Sequence, residues 1–277
     1  MVSSKEILIG DIGGTHARFA ILERNGSAPR LRDRSDLPGD FATFAQALTH
    51  YLNGMDRQRV PDLCVLAVAG PVVDGEVSLT NRNWQISESE LQSLGFRSAR
   101  LINDFAALAY AADRLGPSDV RCIGPDVPAA AEGTVTILGA GTGFGVSCLA
   151  HFRGRAVPLA TEGGHFGFAP QGSEEIQILE VLARRFGRVS VERILSGPGL
   201  ENLAQTLDEI AGRAARPLSA AQIVEHASQG DPDRRAVLSR FCSIFGAVAG
   251  DLALTHGARG GVLIAGGIAG RIEPYLM

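Results

Sequence analysis

Short, uninterrupted apolar runs recur along the chain, and between them lie longer stretches in which apolar residues return every three or four positions. The uninterrupted runs are typical of buried strands and predict strands over 6–12, 63–69, 135–138 and 261–265, with a further strand over 100–103. The helical spacing predicts helices that begin near Asp40 and Asp104 and others over 173–186, 198–214, 218–228 and 232–256. Because strands alternate with helices throughout, the fold class is α/β.

Capping residues define the ends of two of these helices. Asp40 precedes the first helix and Gly54 follows it, so we expect Asp40 to cap its start and Gly54 to end it. The apolar face of that helix is made by Phe41, Phe44, Leu48 and Leu52. At the last long helix, Asp231 is followed by Pro232, which predicts a cap and a first helical position.

Two glycine-rich turns follow apolar strands in the same way. Gly13-Gly14-Thr15 joins the strand over 6–12 to a strand over 18–22, which is the pattern of a β-hairpin. The turn from Gly139 to Gly143 joins the strand over 135–138 to one over 146–150. This repetition predicts two similar α/β halves. Since Gly, Pro and Asp collect between 113 and 133, we expect a smaller domain over 1–113 and a larger one over 114–277.

Composition narrows the class of protein. The chain has 277 residues, 45% hydrophobic and 20% charged, with a net charge of −4, which is typical of a globular protein and disfavours nucleic acid as a partner. Lys5 is its single lysine, which excludes the Walker A and protein-kinase lysines. The sequence has no apolar run of 18 residues and no C-x-x-C pair, so we expect a cytoplasmic protein, off the membrane, with reduced cysteines. All four cysteines are expected to be small buried hydrophobes: Cys64, Cys122, Cys148 and Cys242.

The glycine-rich turns are the first candidates for chemistry. Backbone N–H groups of such a turn can point at one anion, the Thr15 hydroxyl can add a bond, and Asp11 could hold a hydrated Mg²⁺. The alternative is an ordinary hairpin turn. Two such turns in two halves are more specific than either alone, because together they could bind a polyphosphate from both sides.

Further candidates carry carboxylates and an imidazole. Asn103-Asp104 lies at the end of a strand and the start of a helix, where α/β sheets bind ligands; Asp104 is either a general base or simply a helix N-cap. Glu162 and His165, in a glycine-rich loop, suit binding of neighbouring hydroxyls, and with no third ligand nearby we expect no metal there. Glu192 is a further candidate carboxylate, but it could also be an ordinary exposed residue of a helix.

These motifs, in this order, resemble bacterial glucokinases, the hexokinase-type enzymes of the actin-like ATPase superfamily. The resemblance covers residues 7 to about 272 and is carried by GDIGGTHAR, AGPV, LTNRNW, LINDF, LGAGTGFGV, EGGHFGF, VERILSGPGL and GGVLIAGGI. It implies a two-domain, ribonuclease H-like fold with a cleft that closes on sugar. It also implies a homodimer that uses ATP and Mg²⁺ to phosphorylate glucose to glucose 6-phosphate.

The resemblance also implies residue roles. The sugar-contacting positions are Asn103, Asp104, Glu162, His165 and Glu192, with Asp104 as the base. Gly70-Pro71 and Thr80-Asn81 are expected to border the sugar site, and Gly197 to Leu200 to approach the adenosine. The nucleotide-binding positions are Gly10, Asp11, Ile12, Gly13, Gly14, Thr15, Gly141, Thr142, Gly266 and Gly267.

Two departures from the family pattern are visible. His16 stands where the family usually has Asn, and the family continues beyond residue 277 with a strand and a helix that we expect this chain to lack. Two other functions fit parts of the pattern: an amino-sugar kinase of the repressor/kinase family, whose C-x-C-G zinc pattern is missing here, and a non-catalytic sugar sensor on the same fold.

Overall fold

The computed structural model describes residues 6–24, 29–38, 40–55, 60–79, 83–125, 127–214 and 216–276. Its contacts divide the chain into two compact units, Met1–Ala107 and Leu108–Met277. The division falls within a helix, a few residues before the domain boundary expected after residue 113. The domains over 1–113 and 114–277 therefore stay a prediction.

The first unit is built on a mixed sheet. Its elements are β1 (Glu6–Ile12), β2 (His16–Glu23), β3 (Arg30–Pro38), α1 (Phe44–Asn53), β4 (Leu63–Val68), β5 (Glu76–Leu79), β6 (Trp84–Ser87), α2 (Glu88–Ser93) and β7 (Ser98–Asn103), after which α3 (Asp104–Ala112) begins. The five-stranded sheet has the order β3-β2-β1-β4-β7, and β5 pairs with β6. β1 is antiparallel to β2 and parallel to β4, so the predicted hairpin around Gly13-Gly14-Thr15 is confirmed.

The second unit repeats this strand arrangement and adds a helical layer. Its strands are β8 (Val135–Ala140), β9 (Phe144–Phe152), β10 (Arg155–Thr161) and β11 (Gly261–Ala265), in the order β10-β9-β8-β11. β8 is antiparallel to β9 and parallel to β11, as β1 is to β2 and β4. Its helices are α4 (Ser173–Phe186), α5 (Gly197–Ile210), α6 (Ala220–Ser228), α7 (Pro232–His256) and α8 (Ala269–Ile272). Single 3₁₀ turns lie at Gly163–His165, Val191–Arg193 and Glu273–Tyr275. The repetition read from the sequence is therefore confirmed at the level of topology.

The start of α1 corrects one prediction. Thr43, not Asp40, caps this helix, because the Thr43 side chain accepts a hydrogen bond from the Gln46 amide at 3.2 Å. Phe41 precedes the helix, and its carbonyl accepts a hydrogen bond from the Trp84 indole at 3.0 Å. Asp and Thr are both good caps, and the sequence placed the cap one turn too early.

Most other observed bounds of the helices and strands agree with the predicted ones or differ by a few residues. The strand over 261–265 and the helices over 173–186 and 232–256 have the predicted bounds, and Asp231 caps α7 through the Asp233 and Arg234 amides. α5 ends at Ile210, before the expected residue 214, and Gly212 lies beyond it with a positive φ of 65°. β11 is less buried than expected, because it ends the order of its sheet and leaves Val262 39% exposed.

The core of the second unit explains the composition of α7. An 18-residue window of this 25-residue helix has a mean hydropathy of 1.5, so by length and composition alone the helix could span a membrane. Its buried residues pack in the hydrophobic core with α4, α5 and α6: Val237, Leu238, Phe241, Ile244, Phe245, Val248 and Leu252. The core helix of a globular unit passes the same test of length and hydropathy.

The cysteines follow the prediction in part. Cys64 and Cys148 are buried and Cys242 is half-buried, and burial raises the pKa of Cys64 to about 12 and that of Cys242 to about 11. Cys122 is exposed, so its predicted burial is wrong. Its neighbour Ile123 is also 38% exposed, so an apolar neighbour was a poor guide there.

A buried ion pair joins α5 to α7. Asp208 and Arg234 have side chains that are 1% and 0% exposed, and the Asp208 carboxylate also accepts from Arg213 Nε at 3.1 Å. Charges removed from water in this way are held by each other, and removal of one leaves the other buried without its counterion.

We therefore expect Asp208→Ala to lower the free energy of unfolding by about 3–5 kcal/mol, measured by urea denaturation. Glu209→Ala is the matched control. It removes the next residue of α5, whose exposed carboxylate pairs with Arg184 and Arg185, and it should shift the midpoint far less because water screens that pair. Equal shifts for the two variants would contradict the assignment of Asp208 as a structural counterion.

Candidate active site

The first glycine-rich turn closes the hairpin between β1 and β2. The Gly13 amide donates to the His16 carbonyl at 3.0 Å, and Asp11 and Thr15 are exposed beside the turn. Gly10 is required by packing, since a Cβ there would lie 2.7 Å from Leu66 Cδ2. The same turn can close a hairpin and bind an anion, because the side chains of Asp11 and Thr15 beside it remain exposed.

A line of charged side chains crosses this sheet from Asp11. Arg18 Nη1 contacts Asp11 Oδ2 at 2.9 Å, Arg18 Nε contacts Asp36 Oδ2 at 3.2 Å, and His16 Nδ1 lies 2.8 Å from Asp36 Oδ1. These hydrogen bonds, first that of Asp36 and then that of Asp11, raise the pKa of Arg18. Desolvation alone would raise the pKa of Asp36, but the bonds from His16 and Arg18 together lower it. His16 therefore helps Arg18 to hold the Asp36 carboxylate.

Asn103 and Asp104 take different roles at the start of α3. Asn103 Oδ1 accepts from the Phe105 and Ala106 amides at 3.0 and 3.1 Å, and Asn103 Nδ2 donates to the Gly70 carbonyl at 3.3 Å. Asn103 is therefore the helix cap, and the alternative that Asp104 is the cap is wrong. Asp104 is the first helical residue, and its Oδ1 accepts a hydrogen bond from the Phe105 amide at 2.9 Å. Thr80 and Asn81 lie outside the described residues.

Three glycine-rich segments meet in the second unit. The Gly141 amide donates to the Gly143 carbonyl at 2.8 Å, the Gly197 amide donates to the Gly141 carbonyl at 2.8 Å, and the Ile268 amide donates to the Ala140 carbonyl at 3.2 Å. The segments Gly139 to Gly143, Gly197 to Leu200 and Gly266-Gly267 were proposed separately from the sequence, and the fold brings them together. No heavy atom lies within 4 Å of a Cβ built on Gly141 or Gly267, so these backbones face open space that a ligand can approach.

Glu162, His165 and Glu192 form one cluster. His165 Nε2 lies 3.8 Å from Glu162 Oε2, and His165 Nδ1 lies 3.9 Å from Glu192 Oε1. Their side chains are 57%, 53% and 32% exposed for His165, Glu162 and Glu192 respectively. Glu192 lies in a 3₁₀ turn, so its reading as an exposed helix residue is wrong. The cluster offers two carboxylates and an imidazole to solvent, which is a suitable set for binding hydroxyl groups.

Backbone pairing holds this cluster in place. The Phe168 amide donates to the Val189 carbonyl and the Val191 amide to the Phe166 carbonyl, each at 3.0 Å. Arg188 Nη2 donates to the His165 carbonyl at 2.7 Å. The loop that carries His165 is therefore paired with the segment that leads into Glu192.

Several contributing groups were missed in the sequence. Asp36 and Arg188 act through contacts with Arg18 and with the His165 carbonyl, in other segments of the chain. The Phe144 amide acts through its hydrogen bond to Glu192 Oε2 at 2.8 Å. No local sequence pattern marks these three groups. Arg18 lies within the GDIGGTHAR motif, and the β-hairpin register that places it opposite Asp11 could have identified it.

The residues present fit a magnesium nucleotide better than a metal bound by protein alone. Among the described residues, no group of three or more His, Cys, Asp or Glu side chains is arranged to hold a metal ion. Mg²⁺ in phosphoryl-transfer sites is held by one or two carboxylates together with substrate phosphates and water. In the first unit, Asp11 beside the turn can supply such a carboxylate. In the second unit, the backbone at Gly141 and Gly267 faces open space.

Comparison with known proteins agrees with this geometry. The family model described as Glucokinase matches residues 8–277. A glucokinase of Caulobacter sp. (strain K31) is 52% identical over 271 residues, covering 97% of this chain and 82% of the relative. The crystal structure of a glucokinase from an Antarctic psychrotroph is 37% identical, has a TM-score of 0.83 and covers 98% of this chain and 86% of that one.

A more distant structure extends the likeness in fold alone. A ROK family glucokinase from Streptomyces griseus, solved in complex with glucose and AMPPNP, is 18% identical with a TM-score of 0.65 and covers 98% of this chain and 90% of that one. The α/β units described above therefore form the two-domain actin-like ATPase fold. With a family model that matches almost the whole chain and a relative that shares half of its residues, the chain belongs to the glucokinase family.

Proposed function

We propose that this chain transfers the γ-phosphoryl group of ATP to the primary hydroxyl of glucose, with Asp104 as the general base. Membership of the glucokinase family establishes sugar phosphorylation as its activity. The observation that supports the finer proposal is the position of Asp104 at the first residue of α3, directly after the end of β7, with Asn103 as the helix cap.

The chemistry needs little from the protein besides position and charge. Phosphoryl transfer proceeds through a loose transition state, in which the bond to the leaving ADP breaks as the hydroxyl oxygen attacks phosphorus. The hydroxyl proton must leave during this attack, and we assign it to the Asp104 carboxylate. A positioned carboxylate is a common general base for such a proton.

The cluster of Glu162, His165 and Glu192 is proposed to bind the other sugar hydroxyls. The carboxylates accept hydrogen bonds from hydroxyls, and the imidazole donates or accepts according to its tautomer. The backbone pairing of the two segments fixes the spacing of these groups before a sugar binds, which lowers the cost of ordering them.

The nucleotide is proposed to bind the glycine-rich segments of both units. Gly10 to Thr15 and Gly139 to Gly143 would take the phosphates, and Gly197 to Leu200 and Gly266-Gly267 the adenosine. Mg²⁺, held through Asp11 and the phosphates, would neutralise charge on the transferred group. The family implies ATP as donor, and the Streptomyces griseus enzyme of the same fold binds AMPPNP. The cytoplasmic location and the homodimer stay predictions.

The activity is tested first with the purified protein, Mg²⁺-ATP and a panel of hexoses and amino sugars, following ADP release. We expect release that depends on glucose and yields glucose 6-phosphate. A preference for an N-acetylated amino sugar would favour the repressor/kinase alternative, and sugar binding without ADP release would favour a sensor.

We expect Asp104→Asn to lower kcat by about 10²- to 10⁴-fold, because the amide keeps the shape and one acceptor oxygen but cannot take the proton. Glucose affinity should change far less than kcat. Asp119→Asn is the matched control: this exposed carboxylate accepts the Gly116 amide at 2.8 Å, a bond that the asparagine oxygen can keep. A kcat near that of the unmodified protein would make Asp104 a structural residue.

Sugar recognition is tested with monodeoxy glucoses. A site built to bond a hydroxyl rejects an analogue without it by up to about 10⁴- to 10⁵-fold in kcat/KM. We expect kcat/KM for at least one monodeoxy glucose to fall on this scale. Glu162→Ala should reduce the difference in kcat/KM between glucose and the analogue that lacks the hydroxyl bound by Glu162. An unchanged gap for every analogue would remove Glu162 from the sugar site.

A further inference from the structure

The Glu192 carboxylate touches two functional regions at once. Its Oε2 accepts a hydrogen bond from the Phe144 amide at 2.8 Å, and Phe144 is the first residue after the glycine-rich turn Gly139 to Gly143. Its Oε1 lies 3.9 Å from His165 Nδ1, in the cluster assigned to the sugar. One oxygen is therefore bonded to the end of a phosphate-binding turn, while the other faces the sugar-binding groups.

We propose that Glu192 couples the two substrates, so that sugar bound at its carboxylate strengthens nucleotide binding at the turn and the nucleotide strengthens sugar binding. This inference rests on the proposed function, because it assigns the sugar to the Glu162, His165 and Glu192 cluster and the phosphates to the turn.

The turn is shaped to receive this carboxylate. A Cβ built on Gly143 would lie 2.5 Å from Glu192 Oε2, which is closer than real Cβ contacts allow. Glycine at this position thus leaves the space in which the carboxylate lies against the turn backbone. A side chain at position 143 would therefore have to displace the Glu192 carboxylate from this place.

The backbone after Glu192 also holds the turn. Ser196 Oγ donates to the Glu192 carbonyl at 2.8 Å and accepts from the Gly199 amide at 2.9 Å as the cap of α5. The Gly197 amide then donates to the Gly141 carbonyl at 2.8 Å. Hydrogen bonds therefore tie this segment to the turn on both sides of Gly143, at Gly141 through the backbone and at Phe144 through the Glu192 side chain.

Two substrates that share one positioning group must affect each other. A hydroxyl that binds Glu192 fixes the carboxylate in the place from which it holds the Phe144 amide, and phosphate bound to the turn fixes the amide in return. Coupling between binding sites is reciprocal, and its usual size is about 5- to 150-fold in affinity. A residue that merely supports the fold would instead weaken both ligands and leave the ratio of affinities unchanged.

The test measures that ratio by calorimetry on the whole protein. The Kd of glucose is determined with and without saturating Mg²⁺-AMPPNP, and the Kd of Mg²⁺-AMPPNP with and without saturating glucose. In the unmodified protein we expect both ratios to agree and to exceed about 5-fold. Failure to bind either ligand would overturn the proposed function itself, whereas binding of both with ratios near one would overturn only the coupling.

Two variants then locate the coupling. Glu192→Ala removes both contacts and should bring the ratios towards one, besides weakening glucose alone. Gly143→Ala keeps the Glu192 carboxylate but displaces it from the turn. The two Kd ratios should therefore fall. The Kd of glucose without nucleotide should change by a smaller factor than these ratios. Ratios that persist in either folded variant would overturn the proposal.

Glu201→Gln serves as the matched control. Its carboxylate also accepts a hydrogen bond from a backbone amide, but that amide belongs to Ala220 at the start of α6, at 3.0 Å, and not to the turn. The Glu201→Gln variant should keep the Kd ratios of the unmodified protein. If this variant also lost the coupling, any disturbance of the unit would abolish it, and a specific role for Glu192 would be overturned. Thermal midpoints, measured for all three variants, establish that each is folded.

Discussion

The candidate nucleotide site depends on close approach of backbone to backbone, which a side chain would prevent. A Cβ on Gly139 would lie 2.3 Å from the Ala265 carbonyl oxygen, and a Cβ on Gly266 would lie 2.4 Å from the Ala140 carbonyl oxygen. β8 and β11 therefore end in direct contact, and the turns that leave them are side by side. Gly266 also has a φ of 89°, a conformation that favours glycine. Substitution at these positions would separate the turns before it touched any ligand.

The strand repetition shows what the sequence determines and what it leaves open. Both units have an apolar strand, a glycine-rich turn, an antiparallel neighbour and a parallel neighbour. The apolar runs and the repeated glycine-rich turn predicted the strands and the two similar halves, because buried strands are rich in apolar residues. The parallel pairing of β1 with β4 and of β8 with β11 was not predicted. The strands that were missed, such as β3 and β10, expose most of their side chains and are held by backbone pairing to one neighbour. β3 is charged and carries no run of apolar residues, so hydrophobicity alone does not reveal it. β10 has apolar residues from Ala156 to Ala160, but Pro158 lies among them, and proline disfavours a strand assignment.

The same distinction applies to the site. Sequence motifs were enough to select the candidate residues Asn103, Asp104, Glu162, His165 and Glu192. They did not show which hydrogen bonds each of these side chains makes. Asn and Asp are equally good helix caps in a sequence, and only the hydrogen bonds show that Asn103 caps α3 and Asp104 does not. The line from His16 to Asp11 is of the same kind, because it depends on the register of β1, β2 and β3 and on side chains that meet across strands.

The two glycine-rich turns, alike in sequence, are stabilised by different forces. Beside the first, Asp11 is held by the ion pairs of Arg18 and Asp36, whose side chains are 55% and 51% exposed and therefore screened by solvent. Around the second, backbone amides and the Glu192 carboxylate make hydrogen bonds that are one-third exposed or less at the side chain. Bonds shielded from water keep their geometry better than screened ion pairs. The second turn is thus held by bonds better shielded from water, and the carboxylate that anchors it also lies 3.9 Å from His165 Nδ1. Under the proposed coupling, this shared anchor is the contact through which one substrate would affect the other.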